Sequence, residues 1–272
     1  MRIGIGLPTT IAGAPAGLLV PWARAAEAGP FSSLAVHDRL AYDALDPLSA
    51  LAVAAAVTER VRLAALVVIA PIRPAALLAR QAASVQRLSA GRLVLGLGIG
   101  PRRDDYRLAG VPYPARGRIL DRQLARLPGL WDGHPPRLLL GGVSDRALLR
   151  MARHASGFVH SGGPPRAFRN AAVRALVAWS EAGRPGRPEL WGLGYFALGP
   201  GAVERGRAQL LDYYGFSGGF ATRIAAGLLA SREEIGAFAR AYAEAGCDEL
   251  VLFPTVAELD QVHRLADAVE RI

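Results

Sequence analysis

Lysine is absent from the 272 residues: all 32 basic side chains are arginine, and set against 23 acidic residues they leave a formal charge of +9. A bias this complete, beside abundant Ala, Gly and Pro, fits GC-rich coding better than a surface selected to grip a polyanion. Nucleic-acid-binding chains cluster their cations and interleave aromatics, whereas here the arginines are scattered, Arg102–Arg103 being the densest pair. No nucleic-acid partner is expected, and the positive charge suits an anionic cofactor or substrate. Cysteine is nearly absent too; Cys247 stands alone, which excludes an intrachain disulfide and a multi-cysteine metal site. Long apolar runs are missing: the longest, over residues 63–72, contains Pro71 and falls short of the roughly 18 residues of a membrane span. No membrane anchor is expected. The stretch 3–7 is too short for the apolar core of a secretory signal, so a cytoplasmic protein is expected.

What is present is a regular alternation. Apolar, strand-like segments lie at 3–7, 33–36, 61–69, 92–99, 137–140, 157–160, 190–198 and 249–253, separated by helical sequence at 19–28, 48–57, 77–88, 116–131, 145–154, 165–182, 202–214, 220–229, 233–245 and 256–269. Unbroken Val/Leu/Ile strands signal a parallel sheet buried on both faces, and eight βα units in about 250 residues predict a (β/α)₈ TIM barrel. An open doubly wound sheet with a second domain beginning near Pro135 is the alternative. No low-complexity linker interrupts the chain, so one domain over 1–272 is expected.

In such a barrel the chemistry sits where strands end. The second strand ends in His37-Asp38-Arg39, the fourth in Gly96-Leu97-Gly98-Ile99-Gly100, the fifth in Gly141-Gly142-Val143-Ser144 and the sixth in His160. No strand end carries a Ser-His-Asp set or a metal-gripping cluster, which argues against hydrolase and metalloenzyme chemistry. Gly141 to Ser144 precede a helix, so their amides could hold a phosphate; equally, Ser144 could merely cap that helix. The fourth-strand glycines would let a flat ring approach the backbone or simply pack closely. His37 and His160 are candidate proton donors or structural residues. Asp38 could orient a ligand, pair with Arg39 or cap the next turn. Tyr213-Tyr214-Gly215-Phe216 could line a substrate pocket or form helix-end core, and Cys247 should be packing at the barrel bottom.

Several stretches carry a family resemblance: Ser33-Leu-Ala-Val-His-Asp-Arg-Leu40, Val61-Arg-Leu-Ala-Ala-Leu-Val-Val-Ile-Ala-Pro71, Leu88-Ser-Ala-Gly-Arg-Leu-Val-Leu-Gly-Leu-Gly-Ile-Gly100, Leu138-Leu-Leu-Gly-Gly142 and Ala245-Gly-Cys-Asp-Glu-Leu-Val-Leu252. In order and spacing they resemble the bacterial-luciferase-like flavin-dependent oxidoreductases. The resemblance implies a barrel that binds FMN or the 8-hydroxy-5-deazaflavin coenzyme F420 at its C-terminal mouth. It places Gly142, Val143 and Ser144 on the cofactor phosphate, Asp38 and Arg39 near the ring system, and a cis peptide bulge near Leu66–Val67 behind the ring. Ile99 stands where many FMN-binding members carry a phosphate-pairing arginine, and the Gly-Leu-Gly-Ile-Gly form is more similar to the deazaflavin branch. Arg39 and Pro101 stand where some deazaflavin dehydrogenases carry their acid–base pair, leaving the proton donor open.

The expected site thus comprises His37, Asp38 and Arg39 as catalytic candidates, with Leu66, Val67, Gly98, Ile99, Gly100, Gly141, Gly142, Val143, Ser144 and His160 around the cofactor. F420-dependent hydride transfer to or from a small organic substrate is the favoured expectation. FMN-dependent monooxygenation with a partner reductase is the alternative, and a non-catalytic binding barrel a third. The resemblance also allows a homodimer through the helices around strands two and three. Only Trp131-Asp-Gly-His-Pro-Pro136 joins the helix after the fourth strand to the fifth, where the family inserts a longer segment, so a more open pocket is expected.

Overall fold

Each strand forms where β-branched or leucine-rich sequence is released by a Gly, Pro or polar cluster, and each is returned by a helix whose small or apolar face lies on the sheet. The computed structural model describes residues 1–131 and 133–270. The strands are β1 (Arg2–Gly6), β2 (Ser33–Val36), β3 (Arg62–Ile69), β4 (Leu93–Gly98), β5 (Arg137–Gly141), β6 (Gly157–Val159), β7 (Glu189–Phe196) and β8 (Glu249–Pro254), all parallel and closed in sequence order, β8 pairing with β1. Closure into a TIM barrel removes the open doubly wound alternative. The helices are α1 (Leu19–Ala28), α2 (Pro47–Ala55), α3 (Ala75–Leu88), α4 (Arg103–Leu108), α5 (Arg116–Arg126), α6 (Asp145–His154), α7 (Pro165–Glu181), α8 (Ala202–Tyr213), α9 (Gly219–Ala226), α10 (Arg232–Glu244) and α11 (Asp260–Val269). Among the described residues no helix is long and apolar enough to cross a membrane.

Two corrections to the sequence reading are physical. Helix α4 lies where no helix was expected, because its Arg-Asp-Asp-Tyr-Arg-Leu sequence has no apolar stripe. The helix expected over 116–131 gives way after Arg126 to a 3₁₀ turn, Leu127–Leu130, at Pro128, whose ring cannot donate to an α-helical ladder. The short connection into β5 follows, and Asp132 within it lies outside the described residues.

Core side chains fall into layers. Leu34, Val36, Leu63, Leu95 and Leu252 face outward toward the helices, while Ala35, Ala64, Leu66, Val94, Leu139, Trp191, Leu193, Val251 and Phe253 fill the barrel interior. At the bottom, the fully buried Glu249 carboxylate accepts from Ser32 and Ser33 Oγ, each at 2.6 Å, from Arg2 Nε at 2.9 Å and from Arg62. Arg62 also lies over the Trp191 ring, and Cys247 is buried beside the Leu190 carbonyl. This plug makes the lower end a stabilising face and leaves the upper end for chemistry.

Candidate active site

The irregularity that shapes the mouth is in β3. The Leu66–Val67 peptide bond is cis, at the position the resemblance implied, and the pairing with β4 slips between Ala65 and Val68. Val67 is thereby turned into the barrel mouth, and three glycines make room for it. A Cβ on Gly98 would stand 2.6 Å from Val67 Cγ2, one on Gly96 2.9 Å from Val67 Cγ1, and one on Gly141 3.2 Å from the same atom. The glycines of β4 and β5 therefore accommodate a side chain of β3. Ile99 packs on the outer core, its carbonyl accepting from the buried Tyr106 hydroxyl, and Gly100 (φ +58°) turns the chain beneath Ile69.

Above Val67 opens a cavity of about 400 Å³. His37, Asp38 and Arg39 border it from just beyond β2, Leu66 and Val67 from β3, and Leu193 from β7. Tyr213, Tyr214, Phe216 and Phe220 close one side; Phe216 and Phe220 are 44% and 45% exposed, so the cavity communicates with solvent. The Tyr-Tyr-Gly-Phe stretch, for which pocket lining and helix-end core stood as alternatives, belongs to the pocket.

The three residues that follow β2 have distinct partners. Asp38 does not pair with Arg39. Its carboxylate binds Arg73 through both oxygens, at 2.5 and 2.9 Å, and accepts from the Ile69 amide at 2.7 Å, tying β2 to the end of β3. Burial pushes the Asp38 carboxyl up, and the Arg73 charge pulls against it. Arg39 Nε instead reaches Asp105 at 3.1 Å, and Asp105 also accepts from the Leu40 and Ala41 amides. The Arg39 guanidinium lies 5.2 and 5.3 Å from the Tyr42 and Tyr213 ring centres, a cation–π placement; its two terminal nitrogens are buried without a hydrogen-bond partner among the described residues. Arg73, Asp105 and Tyr195 were not singled out from the sequence.

His37 stacks on Phe253 with ring centres 3.7 Å apart. Its Nδ1 lies 2.8 Å from the Leu66 carbonyl and its Nε2 3.3 Å from the Tyr195 hydroxyl, which meets the Tyr214 hydroxyl at 2.6 Å. Burial pushes His37 down to about 4, outweighing the Leu66 carbonyl that favours its protonated form; the ring is neutral at physiological pH.

The fifth-strand turn lies apart from this group and does not border the 400 Å³ cavity. Gly142 has φ +116°, and Ser144 Oγ caps α6 by accepting from the Ala147 amide at 3.3 Å. The capping alternative for its side chain is therefore realised, yet the amides of Gly142, Val143 and Ser144 make no backbone hydrogen bond among the described residues, and Val143 is 45% exposed. In the β5–β6 register Gly141 pairs with Val159, which brings His160 alongside Gly142. His160 packs edge-on against Phe158 and Phe168, its buried Nδ1 has no partner, and burial pushes it down to about 4.

Comparison with known proteins places this architecture. Uncharacterized proteins of Mycobacterium tuberculosis and Mycobacterium bovis are 32% identical over 209 residues, 61% of this chain and 72% of theirs. In structure the chain is similar to an F420-dependent secondary alcohol dehydrogenase (TM-score 0.82, 16% identity, 98% of both chains). It is likewise similar to the monooxygenase RslO1 from Streptomyces bottropensis (0.79, 18%, 99% of this chain and 98% of that one). A third likeness is to the coenzyme F420-dependent tetrahydromethanopterin reductase from Methanopyrus kandleri (0.76, 14%, 98% of both). At such identities these structures share the fold. The family model described as luciferase-like monooxygenase matches residues 1–252, nearly the whole barrel with its β3 bulge and open mouth, and the chain belongs to that family.

Proposed function

We propose that the protein is an oxidoreductase that binds F420 at the barrel mouth and transfers hydride to or from a small organic substrate. The fit to a flat, phosphate-bearing coenzyme rests on two features. Val67, seated against Gly96, Gly98 and Gly141, presents an apolar face to an open cavity, where a ring can lie against the barrel. At the side, the unpaired amides of Gly142, Val143 and Ser144 meet the positive end of α6, a natural seat for an anion. The bound coenzyme would supply the two-electron chemistry, and the chain supplies orientation and shielding.

The residues then divide the work. Asp38 and Arg73 hold the end of β3 at a fixed height, so that Val67 cannot retreat. The Asp105–Arg39–Tyr213 stack fixes the wall opposite it. His37, neutral and hydrogen-bonded at both nitrogens, presents a polar group on an otherwise apolar floor. Positioning of this kind lets a donor and an acceptor carbon meet without further ordering.

The observation that carries the choice of F420 over FMN is the open side of the cavity at Phe216 and Phe220. Oxygen-activating flavin chemistry needs a site closed against water, whereas hydride transfer from a deazaflavin does not. Ile99, apolar and packed on the core, adds no cationic partner for an FMN phosphate. Such an enzyme would take its reduced coenzyme from a separate reductase in the cytoplasm, and the Ala-rich α2 and α3 faces would suit a homodimer. Titration of the purified protein with F420 and FMN, followed by fluorescence, tests the reading. Saturable F420 binding is expected; tight FMN binding with negligible F420 binding would reverse the assignment to the monooxygenase alternative, and failure of both in a folded sample would leave a non-catalytic barrel.

A further inference from the structure

The hydrogen bonds across the cavity floor have a direction. The Leu66 carbonyl can only accept, so the contact at 2.8 Å requires the proton on His37 Nδ1. In the neutral ring Nε2 is then an acceptor, and the Tyr195 hydroxyl, 3.3 Å away, donates to it. Having spent its one proton there, Tyr195 can only accept across the 2.6 Å contact with Tyr214, so Tyr214 donates to Tyr195. The chain runs from Tyr214 through Tyr195 and His37 to a main-chain carbonyl of the β3 bulge. Its free end is the Tyr214 oxygen, which keeps a lone pair and has no donor partner among the described residues, and both Tyr214 and His37 border the cavity.

We infer that Tyr214 is the substrate-recognising residue of this site, and that it selects a molecule presenting a hydroxyl donor on an apolar body, an alcohol in preference to the matching carbonyl compound. The reasoning rests on the mouth being the substrate site proposed above. An alcohol O–H satisfies the waiting lone pair; a carbonyl oxygen meets it lone pair to lone pair unless the Tyr214 hydroxyl turns away from Tyr195 and gives up the 2.6 Å bond. The rest of the substrate is met by Leu66, Val67, Leu193, Phe216 and Phe220, which offer apolar contact.

The test uses two probes of one shape, 1-phenylethanol and acetophenone, whose dissociation constants for the full-length protein are measured by ligand-observed NMR with and without F420. The alcohol should bind roughly two- to tenfold more tightly, the worth of one neutral hydrogen bond. Tyr214→Phe should erase that ratio. Tyr195→Phe should bring the ratio toward one by raising the affinity for the ketone, because the Tyr214 proton is then released toward the cavity and can meet a carbonyl or an alcohol oxygen alike. Independently of any ligand, the ring ¹⁵N shifts of His37 should show Nδ1 protonated and Nε2 bare, with Nε2 moving on Tyr195→Phe. Equal affinities, no measurable binding of either probe, or a His37 protonated on Nε2 overturns the inference. If F420 fails to bind while the alcohol preference and the tautomer hold, the coenzyme reading falls and the recognition by Tyr214 stands.

Discussion

Two buried histidines held neutral should make the protein sensitive to mild acid. His37 and His160 are each about nine-tenths or more buried, and burial takes both from 6.5 in the free side chain to about 4 in the folded protein. Because the folded values are depressed, the sign is fixed: above about pH 7 neither state binds the proton and nothing is lost. As pH falls through 6.5 the unfolded chain gains protons that the folded chain refuses, and stability falls by about 1.4 kcal/mol per pH unit per histidine until it levels near pH 4. At about pH 5 the loss is about 2 kcal/mol for each ring, or about 4 kcal/mol for the pair, a large share of the roughly 5–15 kcal/mol that holds a domain folded. Asp38 acts in the opposite sense, since its raised carboxyl takes up a proton more readily in the folded state, so the total pH curve mixes both. The His160→Leu variant isolates one ring, because Nδ1 of His160 has no hydrogen bond to lose. Urea unfolding followed by circular dichroism at about pH 7 and about pH 5 should show the variant losing about 2 kcal/mol less than the wild type. Equal losses in the two proteins would refute the burial argument for His160.

Three further substitutions probe the architecture of the mouth. Gly98→Ala places a methyl 2.6 Å from Val67 Cγ2; overpacking should lower stability by about 1–3 kcal/mol and push Val67 into the cavity, weakening F420 binding, both read from melting and titration. Arg73→Met strands the buried Asp38 carboxylate with the Ile69 amide as its remaining partner, and should cost about 3–5 kcal/mol. Adding Asp38→Asn should restore much of it, as a double-mutant cycle in urea would show. Ser144→Ala removes the cap of α6 and about 1 kcal/mol of stability, yet F420 affinity should hold, because the amides and not the hydroxyl are assigned to the phosphate. A tenfold loss of affinity would move that assignment to the side chain.

The barrel was legible because its signal is redundant: eight apolar runs at βα spacing constrain each other, and a one-residue error at any end leaves the count intact. Ser33–Val36 and Asp145–His154 fall on the expected residues, the latter because Ser144 caps one end and the backbone turns extended at Ala155 at the other. Helix α4 was illegible for the converse reason. Its Asp105 and Tyr106 are buried, but what buries them is Arg39 and the Ile99 carbonyl, partners distant in sequence that no local period announces.

The same distinction runs through the site. His37, Asp38 and the glycines of β4 and β5 stood out because a strand end confines where a functional side chain can be, and glycine next to a strand end marks a close approach. Arg73 did not, since it is one arginine among 32, and composition drowned the one guanidinium that neutralises Asp38. Tyr195 was hidden differently: on β7 it reads as one more apolar residue of a buried strand, and only closure of the barrel sets its hydroxyl beside His37. Direction is less visible still. A sequence shows that two tyrosines and a histidine exist, but which of them donates follows from the Leu66 carbonyl standing 2.8 Å from Nδ1. The polarity of the cavity floor therefore follows from where one main-chain oxygen stands, which no list of polar side chains discloses.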